Sequence, residues 1–316
     1  AHRALQLGSA GSAVAQLVIA VTPARLALLT MALFAAGLAN TMAQPAANIV
    51  VSERIPLERQ GIAMAIKQSA IPAATIVAGL AVPAIGLTVG WRWAFVGGAV
   101  LAALASRSAR RVTDLPARPV TRPTGDETGS PAVLGVLALG AWLAAGHATM
   151  IAGFLVDSGE HAGLSPSVAG LMLAVGSASG ITSRLLLGSY VDRHAVRALT
   201  LVVILLVTGA GAALLLAPQR APLHVLATPV MFATGWAWPG LFNLAVVRAR
   251  ADRPGAATGI TQTGTYLGAV TAPLAFGALV EATDSYAAGW TFAAAWALVA
   301  AGVMAIGNRR LRRSGT

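Results

Sequence analysis

The residues able to do chemistry are few, and each is set in an apolar run. Asn40, Gln44 and Asn48 recur at i, i+4 and i+8, which puts three amides on one face of a helix. Such a stripe needs partners, and either a watery cavity or hydrogen bonds between helices would supply them. Gln44 adjoins Pro45, where a helical ladder loses a bond. Lys67, the single Lys, precedes Gln68 and stands about 10 Å into its run at 1.5 Å per residue. It either lines a polar pathway or snorkels to the near interface. Arg184 is the other basic residue inside a run. Trp142 and His147 share a further run, and a lone imidazole either relays a proton or packs. Trp236, Trp238 and Asn243 surround Pro239, so an indole there could stack on a solute or only fill space. Gln262 and Tyr266 lie one turn apart on one face.

What is missing narrows the chemistry further. No apolar run contains Asp or Glu away from its ends, and there is no Cys. No His-rich or carboxylate cluster has metal-ligand spacing, and no Gly-rich phosphate loop occurs. An integral-membrane enzyme would need a polar catalytic cluster, and none is present. The expectation is a protein that makes and breaks no bonds, with no catalytic residue, no metal and no cofactor.

The elements that must position these residues are set by composition. Of 316 residues, 56% are hydrophobic and only 10% charged. A soluble domain carries about 25% charged residues, so a soluble enzyme and a disordered chain are both excluded. About 20 apolar residues cross a bilayer as a helix. Ten runs qualify, at 4–20, 26–51, 61–88, 92–106, 132–156, 166–190, 198–217, 223–247, 255–280 and 287–307. Pro45, Pro72, Pro83, Pro239 and Pro273 fall inside them, which membrane helices tolerate.

The net charge of +11 belongs to the connections between runs. With the start of the chain in the cytoplasm, seventeen of the 22 basic residues fall in cytoplasmic segments, against Arg25, Arg92 and Arg220 opposite. That bias predicts both ends cytoplasmic. It also explains the basic balance without nucleic acid, since no basic stretch is long enough to form a groove. The partners expected are a lipid bilayer, a small-molecule substrate and a coupling proton or ion, for a monomer in a bacterial cytoplasmic (inner) membrane.

The chain repeats itself. The segment at 1–7 matches 195–201, Pro45 matches Pro239, and Arg59, Gly61, Ala63, Ile66 and Gln68 match Arg253, Gly255, Ala257, Ile260 and Gln262, all at an offset of 194. Two related halves follow, 1–106 and 131–316, joined by an Arg-, Pro- and Thr-rich linker at 107–130. Such duplication is typical of secondary transporters. Residues 131–194 have no counterpart before Ala1. Equal halves therefore imply about 64 residues ahead of this sequence and twelve spans in all.

The connection "GSYVDRHAVR" at 188–197 resembles the Gly-x-x-x-Asp-Arg-x-x-x-Arg loop of the major facilitator superfamily. Gly188, Asp192, Arg193 and Arg197 match, while Ala195 replaces the usual Gly and Tyr190 a common Leu. "GWRWAF" at 90–95 and "ERQGIA" at 58–63 are similar to first-half phrases of that family, and the resemblance covers the whole chain. It implies an all-α membrane protein, a two-half helical bundle with about 10 of 12 transmembrane helices present (helices 3 to 12). It implies secondary transport by alternating access. Arg184, Gly188, Asp192, Arg193 and Arg197 would gate, with Asp192 facing the positive start of the helix at Gln60–Gly61.

The resemblance also assigns the polar residues named above. In this family helices 1, 4, 7 and 10 line the cavity, helped by 5, 8 and 11. Asn40, Gln44, Asn48, Lys67, Gln68, Trp142, His147, Trp236, Trp238, Asn243, Gln262 and Tyr266 become cavity candidates. Lys67 and Arg184 favour an anion or organic acid. The alternatives are a drug or metabolite exporter working as a proton antiporter, and a fragment that does not transport. The exporter signature is weakened at "GLAVPAIGL" (79–87), which keeps Pro83 and Gly86 but has Val82 and Leu87 where glycines are usual.

Overall fold

In the computed structural model, residues 2–22, 25–81, 85, 88–111, 131–194 and 196–313 are described, and they are almost entirely helical. The helices are α1 (His2–Val21), α2 (Leu26–Arg54), α3 (Gln60–Ala81), α4 (Trp91–Arg111), α5 (Pro131–His161) and α6 (Pro166–Arg193). They continue as α7 (Ala198–Leu214), α8 (Ala221–Gly235), α9 (Pro239–Ala249), α10 (Pro254–Thr283) and α11 (Tyr286–Arg313). A short 3-10 turn, Leu57–Arg59, precedes α3. Among the described residues, eight stretches are long and apolar enough to cross a membrane, with α8 and α9 counted as one; α7 is apolar but shorter. α3, which carries Lys67, Gln68 and Ser69, is not among the eight.

Prolines punctuate these helices. Pro131 opens α5, and Pro166, Pro239 and Pro254 stand in the first turns of α6, α9 and α10. A missing N–H costs nothing there, because first-turn donors have no intrahelical acceptor. Ser165 caps α6 by accepting from the Val168 N–H at 3.4 Å. α5 ends where Gly163 takes φ +95. The Leu164 N–H then closes onto the Gly159 carbonyl at 3.0 Å, the arrangement that satisfies a helix's last carbonyls.

One span differs from its sequence reading. Residues 223–247 read as one continuous helix, but α8 stops at Gly235 and α9 restarts at Pro239, with Trp236–Trp238 as a turn between them. Pro239 supplies no N–H and its ring clashes with the carbonyl four residues earlier. Pro45, Pro72, Pro229 and Pro273 are carried inside unbroken helices. Pro83 and Gly86, with residues 82 and 87 of the exporter signature, lie outside the described residues, as do Ala195 and 112–130 of the linker.

The chain forms two compact units. The first holds residues 1–55 and 76–121; the second holds 56–75 and 122–316. The start of α3 therefore groups with the second-half helices. In the first unit α1 packs against both α2 and α4. Its Gly8 admits α2 so closely that a Cβ there would lie 2.8 Å from the Ala39 carbonyl oxygen. Leu26, Met31, Phe34 and Leu38 of α2 are exposed, as lipid-facing residues must be. In the second unit α5 packs on α10 and α11, α6 on α8, and α7 on α8 and α11. Phe232, Phe276 and Trp290 are fully buried in its core, and Trp238 and Phe242 are as deeply buried.

Candidate functional site

The motif loop is built at the C-terminal end of α6. Helix geometry places Gly188 and Asp192 one turn apart, and both face the start of α3. Gly188 allows the crossing, since a Cβ there would lie 2.6 Å from the Gly61 carbonyl oxygen and 2.7 Å from the Ala65 Cβ. Asp192 then accepts from two N–H groups: Gly61 to Oδ1 at 2.7 Å and Ile62 to Oδ2 at 2.8 Å. These are first-turn donors of α3 with no intrahelical partner. A carboxylate on them gains both the hydrogen bonds and the positive helix end. The contact of Asp192 with the start of the helix at Gln60–Gly61, which the resemblance implies, is present.

A third group completes this latch, and sequence reasoning counted it only as a topology-setting charge. Arg248, in the last turn of α9, donates from Nη2 to the Leu57 carbonyl at 2.8 Å and from Nε to Gln60 Oε1 at 3.5 Å. The same Nη2 stands 4.0 Å from Asp192 Oδ1. Asp192 is 6% exposed at its side chain and Arg248 37%, so the carboxylate is desolvated while its cation reaches water. A cleft of about 560 Å³ opens beside them, lined by Glu58, Asp192, Arg193, His194 and Arg248 among others. Arg193 is exposed in the last turn of α6, and Arg197 is the residue before α7. Beyond α9, Arg250 binds Asp252 through Nε to Oδ1 at 3.0 Å and Nη2 to Oδ2 at 3.1 Å. That guanidinium holds the Asp252 carboxyl below the usual carboxylate range and is itself raised in return.

One turn before Gly188, Arg184 is 3% exposed. Its Nη1 donates to the Gln68 carbonyl at 3.1 Å and its Nη2 to the Trp236 carbonyl, and the guanidinium lies over the Trp236 ring at 5.3 Å. The structure therefore joins three of the sequence candidates, Arg184, Gln68 and Trp236. It ties α3 and α6 to the break between α8 and α9. Lys67, one residue from Gln68, is half-buried. Beyond the break, Trp238 and Asn243 are each 1% exposed. Trp238 Nε1, Asn243 Oδ1, Gln68 Oε1 and the Tyr266 hydroxyl have no hydrogen-bond partner among the described residues.

The remaining candidates are dispersed. Trp142 donates to Thr271 Oγ1 at 2.9 Å and meets Trp296 edge-on at 5.2 Å. His147 is fully buried, with Nδ1 3.1 Å from the Ala293 carbonyl oxygen. Gln262 is buried on α10. In the other unit, along α2, Asn40 is exposed, Gln44 half-buried and Asn48 buried. The amide face read from the sequence thus runs from surface to interior.

A second polar cluster went unread in the sequence. At the end of the second unit away from the motif loop, Ser158 Oγ accepts from Trp290 Nε1 at 2.7 Å and from Gln219 Nε2 at 3.2 Å. It also lies 3.0 Å from His224 Nε2. Nearby the Tyr286 hydroxyl donates to Asp157. Only the isolated polarity of His224 in an apolar run could have signalled this network.

Comparison with known proteins agrees with this architecture. No curated protein matches the chain in sequence. Among solved structures, the human organic anion transporter MFSD10 (TETRAN) superposes with a TM-score of 0.72, at 18% identity over 96% of this chain and 76% of that one. FucP, a Major Facilitator Superfamily transporter in its outward conformation, gives 0.68 at 14% identity over 97% and 81%. A variant of the E. coli fucose:proton symporter FucP gives 0.68 at 14% over 97% and 83%. The Major Facilitator Superfamily sequence model matches residues 1–136 and 137–315. The chain, a multi-pass membrane protein, belongs to the Major Facilitator Superfamily.

Proposed function

We propose that the protein is a secondary active transporter that moves a small anion or organic acid by alternating access. The observation that carries the reading is the Asp192 carboxylate seated on the first N–H groups of α3. Such a contact is worth keeping only in one of two states, so it sets the balance between them. Membership of a transporter superfamily supports the same reading.

The anion follows from charge. Lys67 and Arg184 are basic residues in the inner parts of helices of the second unit. Intramembrane cations mark pathways for anions. The fold is shared with an organic anion transporter, which supports this choice of class. The excess of basic residues in alternate connections supports both ends of the chain in the cytoplasm, with the Asp192 latch on that side.

The test is counterflow of radiolabelled mono- and dicarboxylates into proteoliposomes holding the purified chain. Saturable counterflow is expected, reduced at least tenfold by Lys67→Met, a loss of about 1.4 kcal/mol of binding. Counterflow unchanged by Lys67→Met would make that residue an interfacial anchor, and absence of any carboxylate counterflow would overturn the anion reading.

A further inference from the structure

His147 occupies an unusual place. It is residue 17 of the 31 in α5, about 24 Å from the start of that helix. Its side chain is 0% exposed. The Ala293 carbonyl facing Nδ1 can only accept, so Nδ1 carries the hydrogen and Nε2 presents a lone pair. That lone pair has no hydrogen-bond partner among the described residues.

What faces Nε2 is a pair of glycines. A Cβ on Gly235 would lie 2.7 Å from it, and one on Gly209 3.4 Å. Two helices thus give up their side chains in front of this nitrogen. Gly235 is also the last residue of α8, immediately before the Trp236–Trp238 turn. The C-terminal end of a helix carries partial negative charge and favours a cation beside it. A buried lone pair is therefore aimed at the last residue of α8, beside the Trp236–Trp238 break, where the Trp236 carbonyl is held by Arg184.

From α6, Arg184 reaches this level, its Nη2 on the carbonyl of Trp236, the residue after Gly235. Tyr190, Asp192 and Arg193 of α6 are in its last turns, and no described titratable group of the other packed helices lies level with Nε2. α7 has none. On α8 the titratable residue is His224, eleven positions before Gly235. On α11 Tyr286 lies seven residues before Ala293, and the arginines follow at the far end. On α5 itself Asp157, Glu160 and His161 fall in the last turns. On α10 Tyr266 lies near the level of Trp142, where Gly268 meets that residue's backbone, and Glu281 is near the helix end.

We propose that His147 is a proton-binding site coupled to the α8–α9 break: it is neutral in this arrangement and takes a proton at Nε2 when movement at Trp236–Trp238 lets water or a carbonyl reach that nitrogen. A proton taken up in one state and released in the other biases the equilibrium between them. The coupling ion of the transport reading, on which this inference rests, is then a proton. It is held by an imidazole in a chain whose described helices keep Asp and Glu to their ends.

The chain has no Cys, so one reporter cysteine reads one position. In nanodiscs and without solute, maleimide labelling of the Ala237→Cys chain at the break is expected to rise at least about fivefold from pH 8 to pH 5 after correction for thiol ionisation. His147→Gln on the same background is expected to be flat. Equal pH dependence in both, or a flat profile in the unsubstituted reporter chain, overturns the proposal. A second measurement guards against a variant that fails to fold. With His2, His161, His194 and His224 replaced by Gln, the remaining ¹⁵N-imidazole signal is expected to pass from the neutral Nδ1–H tautomer to imidazolium over that range. A signal that stays neutral overturns the site. Asp192→Asn is expected to alter labelling of the reporter at pH 8 independently of His147. If that shift survives while the pH effect is absent, the proton site alone falls; if both vanish, the alternating-access reading falls too.

Discussion

Asp192 and Gly61 stand 131 residues apart and meet at 2.7 Å, carboxylate oxygen to backbone N–H, with Ile62 held by the other oxygen at 2.8 Å. A side chain at one helix end thus satisfies the first donors of another helix. Asp192→Asn keeps the shape and removes the charge. Charge-assisted bonds exceed neutral ones by about 1 kcal/mol each, so a shift of roughly tenfold or more in the balance of states is expected. Single-cysteine labelling at Ala63, half-buried on α3, should accelerate by that factor. An unchanged rate would show that the latch does not set the balance.

The crossing beneath the latch depends on the absence of a side chain. Gly188→Ala places a Cβ against the Gly61 carbonyl and Ala65. Overpacking of this kind costs about 1–3 kcal/mol, because backbone cannot move aside as a side-chain tip can. The melting temperature in detergent should fall. Gly37→Ala, where nothing lies within 4 Å of the added carbon, serves as the control and should not lower it.

Arg184 bridges the Gln68 carbonyl of α3 and the Trp236 carbonyl of the turn between α8 and α9. Lys cannot reproduce that fork, having one nitrogen on a flexible stem. Arg184→Lys is expected to lose about 1–3 kcal/mol, and Arg184→Met to lose as much with the cation–π contact gone too. Intrinsic fluorescence should report it, since the Trp236 ring lies against the guanidinium. Trp236→Phe in the same background identifies that component; an emission unchanged by Arg184→Met would show that the brace does not order the break.

The Arg250–Asp252 pair predicts a pH effect of definite sign. The Asp252 carboxyl is held below its ordinary value by the Arg250 hydrogen bonds. Its stabilisation is therefore complete above the unfolded value of about 3.9 and is lost as pH falls through the lower folded value. The pair lies half-buried at the surface, within reach of solvent screening, so the gain is about 0.2–1 kcal/mol and falls with salt. Thermal melts of wild type and Asp252→Asn should differ slightly at pH 6, and the difference should shrink as pH is lowered below about 3.9. A difference that grows on acidification would contradict the assignment.

Helix positions, the membrane and the family were all written in the sequence. They depend on apolar run length, on charge between runs and on a motif of fixed spacing, which are local quantities. The Asp192 contact could be foreseen only through the resemblance carried by the motif at 188–197, not from spacing alone. The tertiary structure alone decided the rest. Arg248 becomes part of the latch, and Arg184 the brace of a broken helix, only because α3, α6 and α9 converge. The sequence shows Pro239 but not that its helix stops at Gly235. His147 is one imidazole in an apolar run until α7 and α8 bring two glycines to its Nε2. Long-range packing sets which polar atoms find partners, and sequence spacing carries no record of it.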